Sequence, residues 1–308
     1  MKVAITGATG FVGSRLVERL QSLGHDVVIL TRNPDRARQQ FPTSVYKTVD
    51  IISYDPSQAG DWQKAIAGCA GVVNLAGTGI ADQKWTPAYK QAILDSRIQT
   101  TNHLVAAIAQ AQPRPPVLVN ASAIGFYGTS ETAEYNESSP AGSDFLAEVC
   151  QKWEAAAAAV KDHGTRLVIV RLGIVLGLGG ALGKMLPPFR MFAGGPIGSG
   201  KQWFSWIHRD DAVNLIIKAL TDGAMQGVYN ATAPNPVTMN QLCTDLGKQM
   251  KRPSWLPVPN FAIETLLGDG AVVVLEGQKA MPENTLKSGF DYEYATLDRA
   301  LAQILTTG

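Results

Sequence analysis

The sequence predicts an α/β chain, a doubly wound parallel sheet with a smaller C-terminal substrate lobe. Three observations predict it. Apolar strands alternate with helical stretches from residue 2 to residue 172, the order that builds a parallel sheet with helices on both faces. The first strand runs straight into closely spaced glycines and then a helix, a local grammar of ligand-binding α/β sheets. Beyond residue 172 the texture turns to loops, with Gly177 to Gly183, Pro187-Pro188 and Gly194 to Gly200 separating short elements. The expected boundary therefore divides 1–171 from 172–308, with interlacing of the two parts left open. A chain of 308 residues is long enough for both.

The elements follow in order. Lys2 to Thr6 is an apolar strand, and Ser14 to Leu23 carries a helical period that Gly24-His25 stops. Val27 to Thr31 completes a βαβ unit. Tyr46 to Ile52 reads as a third strand, Trp62 to Ala67 as a short helix and Val72 to Leu75 as a fourth strand. Pro87 to Ala111 is a long helix ended by Pro113-Arg114-Pro115-Pro116. Val117 to Ser122 is a fifth strand, Phe145 to Lys161 a helix and Leu167 to Leu172 a sixth strand. Asp211 precedes the apolar helical run Ala212 to Leu220 and reads as its N-cap. No internal repeat or low-complexity tail interrupts the chain.

Composition excludes several classes. The net charge is +1 with scattered Lys and Arg, so no basic face marks a nucleic-acid or membrane-surface protein. Cys69, Cys150 and Cys243 are far apart and lack His or Cys partners at ligand spacing, which reads as a reduced, cytoplasmic-type protein with no metal. A trimmed plastid transit segment is compatible with that reading. No apolar run approaches bilayer length, so no membrane span is expected.

The chemistry is concentrated at Gly7-Ala8-Thr9-Gly10-Phe11-Val12-Gly13. Gly7 permits a tight turn, Gly10 lets backbone approach a pyrophosphate, and Gly13 lets helix pack against strand, while the helix N-terminus presents free N–H groups to the anion. The second strand ends Thr31-Arg32-Asn33-Pro34 with no acid at its tip. An acid there would accept a bond from a ribose 2′-hydroxyl, whereas a guanidinium matches a 2′-phosphate. Arg32 is thus the candidate 2′-phosphate clamp and NADP(H) the expected cofactor; the alternative is a solvated loop charge near Asp35.

The glycine loop, Asn74-Leu75-Ala76-Gly77 and Trp206-Ile207-His208-Arg209-Asp210-Asp211 resemble an extended short-chain dehydrogenase/reductase of the nucleotide-sugar-epimerase type. Asp95-Ser96-Arg97, Lys152-Trp153-Glu154-Ala155, Lys184 to Phe189, Gly194 to Gly200 and Glu276-Gly277-Gln278-Lys279-Ala280 narrow it. They resemble an atypical subgroup, the epimerase-family oxidoreductases similar to human SDR family 39U, often labelled cell-division inhibitors of the SulA type. The resemblance covers essentially the whole chain, with a small domain of unassigned role at about 254–301. It implies a Rossmann-type fold and NADP(H) binding through Thr31-Arg32, Leu75-Ala76, Arg97 and the Val175-Leu176 turn, besides the glycine loop. Arg97 stands where ordinary extended relatives carry asparagine; it is either a cation for cofactor or substrate, or a salt-bridge partner of Asp95.

Catalysis departs from the family. The superfamily's tyrosine and lysine would fall at about Leu146 and Cys150, and no register of Asp144 to Glu154 contains Tyr-x-x-x-Lys. Ser122 and Tyr127, at the end of the fifth strand, are the substitute candidates, with packing as the alternative role of Tyr127. Cys150 reads as a small apolar residue and His208 as a residue of the lobe. Trp203, Phe204, Trp206, Trp85 and Phe189 are weighed equally as core and as lining of an apolar ligand site. Lys184, Arg190 and Lys201 are the cations available for a substrate diphosphate. The expected function is NADPH-dependent oxidation or reduction of an unidentified small-molecule substrate; a non-catalytic NADP(H)-binding regulator with a protein partner is the alternative.

Overall fold

The computed structural model describes residues 1–306. In chain order the first half runs β1 (Lys2–Thr6), α1 (Phe11–Ser22), β2 (Asp26–Thr31), α2 (Pro34–Gln40), β3 (Val49–Ser53), β4 (Gly71–Asn74), α3 (Pro87–Gln110) and β5 (Val117–Ala123). Then come β6 (Glu134–Tyr135), α4 (Phe145–Ala158), β7 (Arg166–Leu172), β8 (Ile174–Leu176) and α5 (Gly180–Arg190). The remainder holds β9 (Trp203–Phe204), β10 (Trp206–His208), α6 (Arg209–Thr221), β11 (Gly227–Ala231), β12 (Val237–Thr238) and α7 (Met239–Met250). It closes with α8 (Asn260–Leu267), α9 (Val272–Leu275), β13 (Lys279–Ala280), α10 (Glu283–Lys287) and α11 (Leu297–Thr306).

The central sheet has the order β11-β7-β5-β4-β1-β2-β3, and every neighbouring pair in it is parallel. The chain winds outward from β1 to β3, then returns to β4 and winds the other way. The reversal lies between β1 and β4, where a doubly wound sheet opens a crevice at its strands' C-terminal ends. Leu16, Val17 and Leu20 of α1 and Val213 and Ile216 of α6 bury one face of the sheet. Leu104 and Ile108 of α3 and Ala157 of α4 bury the other. A separate core, with Leu186 and Phe189 of α5, Trp206, Leu242, Leu246 and Leu301, holds the C-terminal lobe together.

Three expectations are corrected here. The sheet does not stop at residue 172: its edge strand is β11, paired with β7 from Gly227↔Val168 to Ala231↔Leu172, so the two parts of the chain interlace. The third strand starts at Val49 because residues 42–46 turn, the Tyr46 N–H donating to the Pro42 carbonyl at 2.9 Å. Asp211 is not the cap of α6. His208 is, its Nδ1 accepting from the Asp210 N–H at 3.1 Å, while the Asp211 carboxylate accepts the N–H groups of Glu293 and Tyr294 at 2.8 and 3.0 Å.

Candidate cofactor site

At the strand reversal the glycine loop bends as its sequence demands. Gly7 has φ +69°, and a Cβ there would meet the Leu75 carbonyl oxygen at 2.6 Å; only glycine lets the β1 and β4 turns touch. A Cβ on Gly13 would collide with the Gly7 carbonyl, whereas one on Gly10 would meet only that oxygen at 3.2 Å and otherwise enter open space. Beneath the loop lies a buried polar floor. The Thr6 hydroxyl donates to Asn74 Oδ1 at 2.7 Å, and Asn74 Nδ2 donates to Asn120 Oδ1 at 2.7 Å and to Thr101 Oγ1 at 2.9 Å. The C-terminal ends of β1, β4 and β5 are thereby tied to α3.

A cavity of about 700 Å³ opens above this floor, within the range of small-molecule sites. Gly7, Gly10, Phe11, Val12, Gly13, Leu75, Gly77, Arg97 and Ser122 all line it. Arg97 rises from α3, its Nη1 donating to the carbonyls of Thr78 and Ile93 at 3.0 and 2.9 Å. Its Cζ sits 5.1 Å from the Trp153 ring, and Gly77 is pressed against the guanidinium, where a Cβ would lie 3.0 Å from Cζ. Asp95 is engaged by Gln91 instead, and among the described residues no carboxylate pairs with Arg97. Burial holds its pKa below the ordinary arginine value. A half-buried cation without an acid, lining the same cavity as the glycine loop, can seat an anion.

The remaining predicted residues are placed differently. Thr9, Thr31, Arg32 and Ala76 lie outside the cavity lining. Arg32 is exposed at the tip of β2, and Asp35 is engaged by Arg38 at 3.1 Å rather than by Arg32. Leu176 is corrected outright: 176 is the last residue of β8, and its fully buried side chain packs in the lobe core, leaving Val175 to face the cavity. Of the aromatic candidates, Trp85 and Trp203 line the cavity, and Phe189, Phe204 and Trp206 are core. Lys184, Arg190 and Lys201 lie outside the lining.

Tyr127 is corrected as an acid. Its phenol donates to Asn230 Oδ1 at 2.7 Å and accepts from Arg171 Nη1 at 3.0 Å; the residue is 3% exposed, outside the cavity, and burial pushes its pKa up. Arg171 grips both Glu154 oxygens at 2.8 Å, and its Cζ lies 3.3 Å from the Phe126 ring centroid. Ser122 does reach the cavity, but its hydroxyl donates to Glu154 Oε1 at 2.6 Å, leaving only lone pairs for a ligand. Cys150, beside it, is buried, and desolvation pushes its thiol up to about 11, so it is protonated at neutral pH. The sequence reading missed this Ser122–Glu154–Arg171–Tyr127 network. Its signal was Arg171, a charge inside the apolar run Leu167 to Leu172.

Also missed was the far wall of the cavity, formed by Asp269, Val272, Val273, Glu276, Gly277 and Gln278. Lys90 of α3 holds Asp269 at 2.9 Å, and the Thr129 hydroxyl donates to Glu276 at 2.5 Å. Gly277 lies flat against Trp203, where a Cβ would strike its carbonyl.

Comparison with known proteins agrees with this architecture. Residues 3–232 match the NAD dependent epimerase/dehydratase family, and residues 258–304 match a domain of unknown function, DUF1731. An Arabidopsis thaliana protein named "Epimerase family protein SDR39U1 homolog, chloroplastic" is 49% identical over 99% of this chain and 87% of its own length. A crystal structure of human epimerase family protein SDR39U1 (isoform 2) with NADPH is 36% identical, covers 100% of both chains and superposes with a TM-score of 0.89. UDP-glucuronic acid 4-epimerase from Bacillus cereus, 18% identical over 99% of this chain and 98% of its own, with a TM-score of 0.79, shares the fold. The chain belongs to the NAD-dependent epimerase/dehydratase family, among the epimerase-family proteins of the SDR39U1 type.

Proposed function

We propose that the chain binds NADP(H) across the glycine loop and works as an oxidoreductase on a small organic substrate held in the same cavity. The observation that carries the reading is the continuity of three features: a glycine cradle at the strand reversal, the Arg97 guanidinium without an acid, and a largely apolar chamber in the same cavity. Arg32 at the β2 tip is the group for a 2′-phosphate, and the human relative's NADPH supports the same choice. When bound, the nicotinamide gives or takes a hydride. The chain's own residues hold the anion and present Ser122 lone pairs to a ligand N–H or O–H. None of the cavity-lining residues is a phenol, so the reading assigns the accompanying proton of a reduction to solvent. With its cysteines free and buried, the reading keeps the chain in a reducing compartment, cytoplasm or plastid; no described helix is long and apolar enough to cross a membrane.

The missing proton donor favours a second reading, a protein that senses NADP(H) and acts on a protein partner. Absorbance at 340 nm with NADPH and a panel of aldehydes, ketones and activated alkenes separates the two. Substrate-dependent oxidation is expected for the oxidoreductase. Tight NADPH binding with no turnover across the panel contradicts it and leaves the sensor.

A further inference from the structure

We propose that the end of the cavity remote from the glycine loop binds an uncharged, ring-bearing organic ligand and refuses sugar nucleotides, residues 269–278 of the C-terminal unit supplying one wall. The inference rests on the NADP(H) reading for the opposite end of the cavity.

Ile80, Trp85, Phe145, Leu146, Val272 and Val273 converge there as one apolar cluster. Trp85 and Phe145 meet edge to face, with centroids 5.2 Å apart and planes at 70°, and Lys90 Nζ lies 5.6 Å from each centroid; the ring surface left facing the cavity is a corner that a third ring can cover. The corner is rigid: the indole N–H donates to the Ile80 carbonyl at 2.7 Å, and the turn at Gly270 is pressed so close that a Cβ would lie 2.9 Å from Trp85 Cδ1. Yet Phe145, Leu146, Val272 and Val273 are only partly buried. Half-buried apolar side chains lining a cavity are covered when an apolar ligand enters it.

Charge decides what kind of ligand. The charged residues lining this end are Lys90, Asp144, Asp269 and Glu276, one cation against three carboxylates. Lys90 is neutralised by Asp269 at 2.9 Å. Asp144 caps α4 by accepting the Ala147 N–H at 2.8 Å, and Glu276 accepts from Thr129. No cation there is left unpaired for a diphosphate, which would meet three exposed carboxylates of its own sign. Arg97, bonded to the Thr78 and Ile93 carbonyls and pressed against Gly77, is the one remaining cation of the lining, and the cofactor reading assigns it to the NADP(H) anion.

The test uses calorimetry on the full chain saturated with NADP⁺, with 2-acetylnaphthalene and UDP-glucose as probes. The naphthyl ketone is expected to bind with sub-millimolar affinity and UDP-glucose to give no heat. Val273→Trp and Ile80→Trp, on different walls, are each expected to weaken the ketone by about tenfold or more while leaving the NADPH titration unchanged. Ketone binding untouched by both variants, no ketone binding beside a normal NADPH titration, or tighter UDP-glucose than ketone would each overturn the proposal. Loss of NADPH binding in the unmutated protein instead overturns the cofactor reading; the ketone titration on cofactor-free protein then still decides this one.

Discussion

Arg171 is a charge inside an apolar strand that serves architecture rather than chemistry. It is 3% exposed and carries a full charge in a sheet interior, so it persists only because Glu154 grips it with two bonds while Tyr127 and Phe126 cover its remaining faces. Ser122 and Tyr127 were legible as polar groups near the strand ends, but whether their hydrogens point into the cavity depends on Glu154 and Asn230, which come from α4 and β11 and are invisible in local sequence. Removing one partner leaves a buried charge uncompensated. Glu154→Gln is therefore expected to cost about 3–5 kcal/mol in urea unfolding, and the double variant Glu154→Leu/Arg171→Met to recover most of the loss. A Glu154→Gln variant as stable as the parent would mean that Arg171 finds solvent in the fold.

The first βα unit was legible because its signals are local, turn and close approach lying within Gly7 to Gly13, although α1 starts at Phe11, three residues before the expected Ser14. The two later glycines do different work, and substitution separates them. In Gly10→Ala the new methyl meets only the Gly7 oxygen at 3.2 Å; the fold is expected to survive with a loss of about 1 kcal/mol or less, and NADPH affinity to fall about tenfold or more. In Gly13→Ala the methyl collides with backbone, so the melting temperature itself is expected to drop. Thermal melts beside NADPH titrations check both; equal melting temperatures for the two variants would contradict this division. The edge strand β11, by contrast, follows β7 by more than fifty residues. Its pairing is a long-range fact, and the loop-rich stretch between them gave no sign that the sheet resumes.

At the scale of the molecule, the C-terminal unit is tied to the sheet domain rather than appended to it. Asp211 of α6 takes the N–H groups of Glu293 and Tyr294, and His208 Nε2 lies 3.0 Å from Gln303 Oε1. Burial outweighs those two N–H bonds and pushes the Asp211 carboxyl up to about 6. A carboxyl raised in the folded state favours folding fully below its unfolded value, and that contribution is lost as pH rises through about 6. The stability of the parent relative to Asp211→Asn is therefore expected to fall between about pH 4 and pH 7, read from urea midpoints; a difference that grows with pH would contradict the assignment. The same unit brings residues 269–278 to the cavity, so a segment to which the sequence assigned no role in the site forms part of its lining.

All of this rests on what the cradle holds. Calorimetric titration of the parent and of Arg32→Ala with NADPH and NADH tests that most directly. The account predicts that the parent binds NADPH at least about tenfold more tightly than NADH, and that Arg32→Ala erases most of that preference by weakening NADPH alone. Equal affinities for the two cofactors, unchanged in Arg32→Ala, would contradict it.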